Sequence, residues 1–236
     1  MNAPETAALS AATDLFITVP EVTLPNGIVV PSFKVGQYAA TKGADGKATV
    51  TAEGKPWVNI NFADAKKACA EAGYALITEL QWLAIAHDVA GVDANWTKGK
   101  VGEGKLFRGI RKGNVSSAQA GTYQSPDAKE RRWLMLSNGE RICDINGNVF
   151  SWIFDNIQGD DAGLTGVIKA DSPSLQAPYP SLEKGMGWRP DGQRDWSGRA
   201  LVRGGCWYSG SHAGAFRLNR GWPGGVGGGI GFRCTN

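Results

Sequence analysis

The 236 residues include 25 basic and 22 acidic side chains, a formal net charge of +3, with 42% apolar and 20% charged residues. That balance belongs to a chain that buries a core, and it excludes both disorder as the main state and a polyanion-binding tract, so no nucleic-acid partner is expected. Glycine is the outlier, because 33 residues are roughly twice the usual ~7% share and show no three-residue period, so loops and turns take much of the length.

In chain order, Met1 to Phe16 hold Glu5 and Asp14 but neither the basic stretch nor the apolar run of a secretory signal. Residues 1–24 read as a tail or a docking and oligomerisation segment. It is strand-like over 15–19, and Pro20 and Pro25 confine any such strand to a sheet edge. The domain proper is taken as 25–236, opening with a strand over 28–35 and a Gly/Lys-rich hairpin around 43–46.

A first helix is predicted after Pro56-Trp57-Val58-Asn59-Ile60, with Asn61 as N-cap, Phe62, Ala65, Ala68, Cys69 and Ala72 on one face, and Gly73 as stop. A second follows the capping box Thr78-Glu79-Leu80-Gln81 and carries Trp82, Leu83, Ile85, Ala86 and Val89 on a wide apolar face. Beyond Gly91 no helix of three turns is expected. Short apolar runs alternate there with Gly, Asn, Asp and Pro, and Trp133, Trp152, Trp188, Trp196 and Trp207 are suited to pin the long loops. The clusters Arg108-Gly109-Ile110-Arg111-Lys112 and Lys129-Glu130-Arg131-Arg132 read as solvated surface. Nowhere do ~18 uninterrupted apolar residues occur, so no membrane insertion is expected.

Reactive chemistry has little to build from. Cys69, Cys143, Cys206 and Cys234 never form a C-x-x-C pair and read as four buried thiols, with one long-range disulfide as the lesser reading. His87 and His212 are the only histidines, too few for a metal cluster or a triad, and Asp144, Asp155, Asp160 and Asp161 read as turn and cap residues. The stretch Gly221-Trp222-Pro223-Gly224-Gly225-Val226-Gly227-Gly228-Gly229-Ile230-Gly231 lacks the Gly-Lys-Ser/Thr ending and the following helix of a phosphate cradle. Seven glycines in eleven positions disfavour folding entropically, so something other than stability filled them.

Three ordered blocks carry a resemblance. They are residues 56–65 with the helix start Leu76-Ile77-Thr78-Glu79, then Gly147-Asn148-Val149-Phe150-Ser151-Trp152, then Arg203-Gly204-Gly205-Cys206-Trp207 with Gly231-Phe232-Arg233. Over about 30–236 the chain resembles the formylglycine-generating-enzyme/sulfatase-modifying superfamily, which implies an α+β, C-type lectin-like fold: two helices early, short strands, long loops. Enzymes of that group place two Cys after this turn to bind copper and activate oxygen, and Ser209 and Gly214 stand at the matching positions here. The resemblance therefore implies neither catalytic residues nor a cofactor, and a family calcium site would meet Ser151 where an acid is needed.

The segment of about 204–233 also resembles the variable region of diversity-generating retroelement proteins, in which adenine-directed miscopying turns Asn codons into a mixture. Tyr208, Ser209, His212, Gly221, Gly224, Gly225, Gly227, Gly228 and Gly229 are residue types that such miscopying yields, and Trp222 joins them as an expected contact although adenine changes alone do not produce its codon. Val226 is left out, and Gly210, Ala213, Ala215, Phe216, Leu218 and Ile230 are expected to form the fixed scaffold. The resemblance implies a non-enzymatic, paratope-like face for a bacterial surface receptor or other protein ligand, on a phage tail virion after cytoplasmic synthesis or, alternatively, at a bacterial cell surface, with homo-oligomerisation adding avidity. The competing expectations are a formylglycine-generating-type oxidase, disfavoured by the missing Cys pair, and a fixed-sequence carbohydrate-binding lectin.

Overall fold

The structure, a computed structural model, describes residues 14–180 and 182–236. Eight strands form its two main sheets: β1 (Phe16–Val19), β2 (Phe33–Gly36), β3 (Ala75–Leu76), β4 (Phe150–Ile153), β5 (Ala200–Arg203), β6 (Leu218–Gly221), β7 (Ile230–Phe232) and β8 (Cys234–Thr235). One sheet runs β1-β2-β8-β3, the other β6-β5-β4-β7. All pairings in the two are antiparallel except β4 with β7, which run parallel with Ser151 opposite Gly231.

Both helices form where their caps and apolar spacing put them. In α1 (Phe62–Glu71) the Asn61 side chain accepts from the Asp64 N–H at 2.8 Å, and Phe62, Ala65, Ala68 and Cys69 are buried. In α2 (Glu79–Ala90) the capping box closes both ways: the Gln81 N–H donates to Thr78 Oγ1 and the Thr78 N–H to Gln81 Oε1. After Gly91 only one-turn 3₁₀ helices occur among the described residues, as short apolar runs broken by Gly and Pro require.

The core is organised around Trp82, Trp96 and Trp152, each 1% exposed. Trp82 Nε1 donates to the Ala215 carbonyl at 2.8 Å and Trp152 Nε1 to the Ile60 carbonyl at 2.9 Å, so both indoles tie the early helical half to the late strands. Trp196 is also buried, whereas Trp133, Trp188 and Trp207 are only partly so. Arg203 on β5 meets Glu79 at the start of α2 with both side chains fully buried, and its other donors reach the carbonyls of Ser174 at 3.0 Å and Phe216 at 3.2 Å. A buried pair satisfied on every side fixes one arrangement of helix against sheet, and removing one partner strands a charge. All four cysteines are buried free thiols.

Four expectations change. The chain is packed from Asp14, whose carboxylate accepts from the Val50 N–H, and Ile17 and Val19 on edge strand β1 are core residues. The packed unit thus begins before residue 25, while residues 1–13 of the expected tail lie outside the described residues. The strand foreseen over 28–35 is interrupted at Pro31-Ser32, because proline cannot donate to a ladder, and only its second half joins the main sheet. The basic clusters are not all solvated: Arg111 and Arg132 are buried. Asp144 is more than a turn residue, since its carboxylate takes Arg132 Nε at 2.8 Å and Asn148 Nδ2 at 2.8 Å.

Candidate functional site

The segment expected to vary begins at the end of β5, where the chain must turn sharply. Gly204 and Gly205 take φ +90° and +98°, a region that side-chain-bearing residues avoid, and a Cβ on Gly205 would lie 2.9 Å from the Ala213 backbone. From there the backbone is tied down: the Trp207 N–H donates to the Asn148 carbonyl, the Gly210 N–H to that of Arg111, and the Trp188 N–H to that of His212. Of the six residues expected to form the scaffold, Ala213, Ala215, Phe216 and Leu218 are fully buried, while Gly210 and Ile230 are half-buried.

The second half of the segment is a loop between β6 and β7 that rests on the start of α1. The Phe62 N–H donates to the Pro223 carbonyl at 2.9 Å, the Asn59 N–H to that of Gly227 at 3.1 Å, and the Phe150 N–H to that of Gly229 at 2.9 Å. Anchored this way, the loop holds its intervening residues outward without using many side chains.

Among the described residues the three most exposed large hydrophobics are Trp222 (66%), Val226 (62%) and Tyr208 (59%), all in this segment. Tyr208 stands near the start of the segment, and Trp222 and Val226 in the loop between β6 and β7. Val226 was set aside as a residue between variable sites, although its codon is reachable by the same miscopying. Asn59 was missed as well: it is exposed, takes φ +56°, and its Oδ1 lies 4.0 Å from where a Gly228 Cβ would stand. Nothing in the glycine pattern points to it, because it belongs to a distant loop.

The ten residues expected at the face fall into distinct groups. Tyr208 lies across Gly229, where a Cβ would meet Tyr208 Oη at 3.0 Å, and its ring sits edge-on to Trp207 with centroids 4.6 Å apart. Trp222 stacks under the Arg199 guanidinium, 3.2 Å from the ring centroid, a cation–π contact at an exposed site. His212 is exposed and lies 6.4 Å from the Trp188 ring; burial first and Arg217 second lower its pKa. Tyr208, His212 and Trp222 make no ring contact with one another.

Gly224 has open space around a would-be Cβ, and Gly227 and Gly228 meet nothing nearer than 4.0 Å. Gly225 is tighter, 3.1 Å from the Trp222 carbonyl. Gly221 is closed, because a Cβ there would fall 2.5 Å from Trp152 Cη2. Gly229 is buried beneath Tyr208. Ser209 turns inward, its Oγ accepting from the Cys206 N–H at 2.8 Å and lying 3.3 Å from Cys206 Sγ. Gly221, Gly229 and Ser209 are therefore held by the frame, while Tyr208, His212, Trp222, Gly224, Gly227 and Gly228 face outward.

No curated protein matches this sequence significantly. Among solved structures, the chain is similar to PvdO from Pseudomonas aeruginosa at 15% identity, covering 93% of each chain with a TM-score of 0.48. It is similar to Treponema denticola variable protein 1 at 16% identity, covering 94% of this chain and 93% of that one with a TM-score of 0.49. Its likeness to the Major Tropism Determinant P3c variant is 15% identity over 97% of this chain and 53% of that one, TM-score 0.43. The profile of the sulfatase-modifying factor enzyme 1-like domain matches residues 22–236, nearly the whole of the packed structure. With its two early helices, short strands and long loops, this chain belongs to the sulfatase-modifying factor enzyme 1-like domain family.

Proposed function

We propose that this family member is a non-catalytic binding protein whose outward face, around Tyr208, His212, Trp222 and the glycine loop, is diversified by a retroelement. One observation carries the reading. Gly221, Gly224, Gly225, Gly227, Gly228 and Gly229 all lie outside the positive-φ region, in contrast to Gly204, Gly205 and Gly210 in the frame. At Gly224, Gly227 and Gly228 neither backbone conformation nor space calls for glycine. Residues that folding does not require there are what random filling of display positions leaves behind.

The oxidase alternative meets an obstacle in the same segment. Ser209 stands at one of the two thiol positions with its hydroxyl committed to the Cys206 turn, and a Cβ at Gly214, the other position, would lie 2.5 Å from the Gly187 nitrogen and 2.6 Å from the Gly185 carbonyl oxygen. The residues present do not fit the family's copper pair.

The partner is a bacterial surface receptor, met by the protein as part of a phage tail, with the N-terminal end of the chain serving in docking or assembly and several copies adding avidity. With glycine filling so much of the face, this copy binds weakly through its three separate anchors. The deciding experiment is to sequence the flanking DNA for a near-copy of the 3′ coding segment. A copy differing mainly at adenines, at the codons of the outward residues, is the expected result, and neighbouring DNA without template or reverse transcriptase would sink the reading.

A further inference from the structure

The two basic clusters that read as separate patches of solvated surface are brought together by the fold. Arg108 and Glu130 form a parallel bridge, and the Arg131 N–H donates to the Arg108 carbonyl, so the two stretches run side by side. Between them opens a cavity of about 350 Å³ lined by Lys105, Phe107, Arg108, Arg111 and Lys129, with Thr97, Leu106 and Ala128 completing the wall.

Four cations thus line one cavity, and one of them, Arg111, is paired with Glu130. Glu130 lies 3.9 Å from the Arg111 guanidinium, its Oε1 accepts from the Arg111 and Lys112 backbone N–H groups and its Oε2 from Ser125 Oγ, while Arg111 Nη1 also donates to the Gly109 and Lys129 carbonyls. Asp127 pairs with Lys112. Among the described residues no carboxylate lies within ion-pair distance of Lys105, Arg108 or Lys129. Burial, and then the charge of Arg111, push the Arg108 guanidinium below its ordinary pKa. Like charges gathered in a partly enclosed hollow repel one another, and a hollow focuses their field on whatever enters.

We propose that this cavity is a binding site for a multiply charged oxyanion, a phosphate or sulfate group. Lys105, Arg108 and Lys129 bring three charges that no carboxylate among the described residues pairs, and a guanidinium matches a tetrahedral oxyanion through forked hydrogen bonds. Arg108 also links the cavity to the diversified segment, since its Nη1 donates to the Ser211 carbonyl at 2.8 Å, one residue before His212. The cavity belongs to the frame, so it keeps its chemistry while the residues beside it change. It offers a constant anionic foothold next to a variable face, and it stands whether or not that face is diversified.

The test is calorimetric titration of the full chain with inorganic phosphate, and in parallel with acetate, at fixed ionic strength. The expected result is saturable one-site phosphate binding with much weaker acetate binding. The double variant Lys105→Gln/Lys129→Gln alters two exposed side chains that have no ion-pair partner among the described residues, and it should weaken phosphate binding by roughly 10-fold or more, the scale of losing charge-assisted contacts. Arg108→Gln should do the same, with its thermal melt recorded to separate binding from folding. The control Lys34→Gln/Lys47→Gln removes equal charge from exposed positions elsewhere and should leave binding unchanged. Absence of saturable binding, equal weakening in both double variants, or acetate binding as tightly as phosphate would overturn the proposal.

Discussion

Gly221 and Gly228 sit seven residues apart in one glycine-rich stretch, yet the structure gives them opposite tolerances. An alanine Cβ at Gly221 would stand 2.5 Å from Trp152 Cη2 and 2.8 Å from Cζ3. Trp152 cannot yield easily: it is 1% exposed, its Nε1 is bonded to the Ile60 carbonyl, and its ring packs edge-on against Phe62. Gly221→Ala should therefore cost about 1–3 kcal/mol, the usual range for forcing an extra methyl into a packed core, which at roughly 2–4 °C per kcal/mol for a chain of this size gives a clear loss in melting temperature. At Gly228 the nearest atom to the added methyl is 4.0 Å away and φ is not positive. Gly228→Ala should be neutral or stabilise by up to about 1 kcal/mol, because the substitution narrows the unfolded ensemble. Urea unfolding followed by tryptophan fluorescence reads both. Equal effects at the two positions, or a larger loss at Gly228, would refute the division of this stretch into frame and display.

Three further outcomes follow from the same geometry. Ser209→Ala should cost about 1 kcal/mol through the orphaned Cys206 N–H, while Tyr208→Ala and Trp222→Ala should stay within about 0.5 kcal/mol; thermal melts of the three distinguish them. His87, mainly through burial and secondarily through the charge of Arg203, has its pKa lowered to about 4. The unfolded chain takes up that proton at higher pH than the folded one, so stability is full above about pH 6.5 and falls as pH drops towards 4, by about 2 kcal/mol after allowance for partial exposure. His87→Gln should flatten that stretch of a urea-midpoint-against-pH profile. Glu79→Gln should destabilise by about 3–5 kcal/mol by leaving Arg203 without its counter-charge, and a variant that unfolds at the wild-type urea concentration would contradict the role given to that pair.

What could be read from the chain was whatever local physics decides. Asn61 and the Thr78–Gln81 box mark helix starts because capping is settled within four residues, and the buried faces of α1 and α2 follow from their spacing. The burial of Ala213, Ala215, Phe216 and Leu218 was legible because they are the apolar or small residues between the positions expected to vary. What stayed hidden depends on partners far along the chain. Glu79 meets Arg203 across 124 residues, and Trp152 reaches over to close Gly221, so composition alone groups Gly221 with Gly228. Arg108 and Lys129 line one cavity only because two loops run side by side. Asn59 joins the display loop through a backbone bond to Gly227. Residue type marks which positions are unusual; side-chain neighbours decide which of them are free.

β7 and β8 follow directly after the display loop, and each completes a sheet begun much earlier: β7 runs alongside β4, and β8 slots between β2 and β3 with Arg233, between them, buried completely. A polypeptide emerging from the ribosome leaves both sheets open until this stretch has been made. A chain cut short inside the loop lacks the two closing strands together and completes neither sheet.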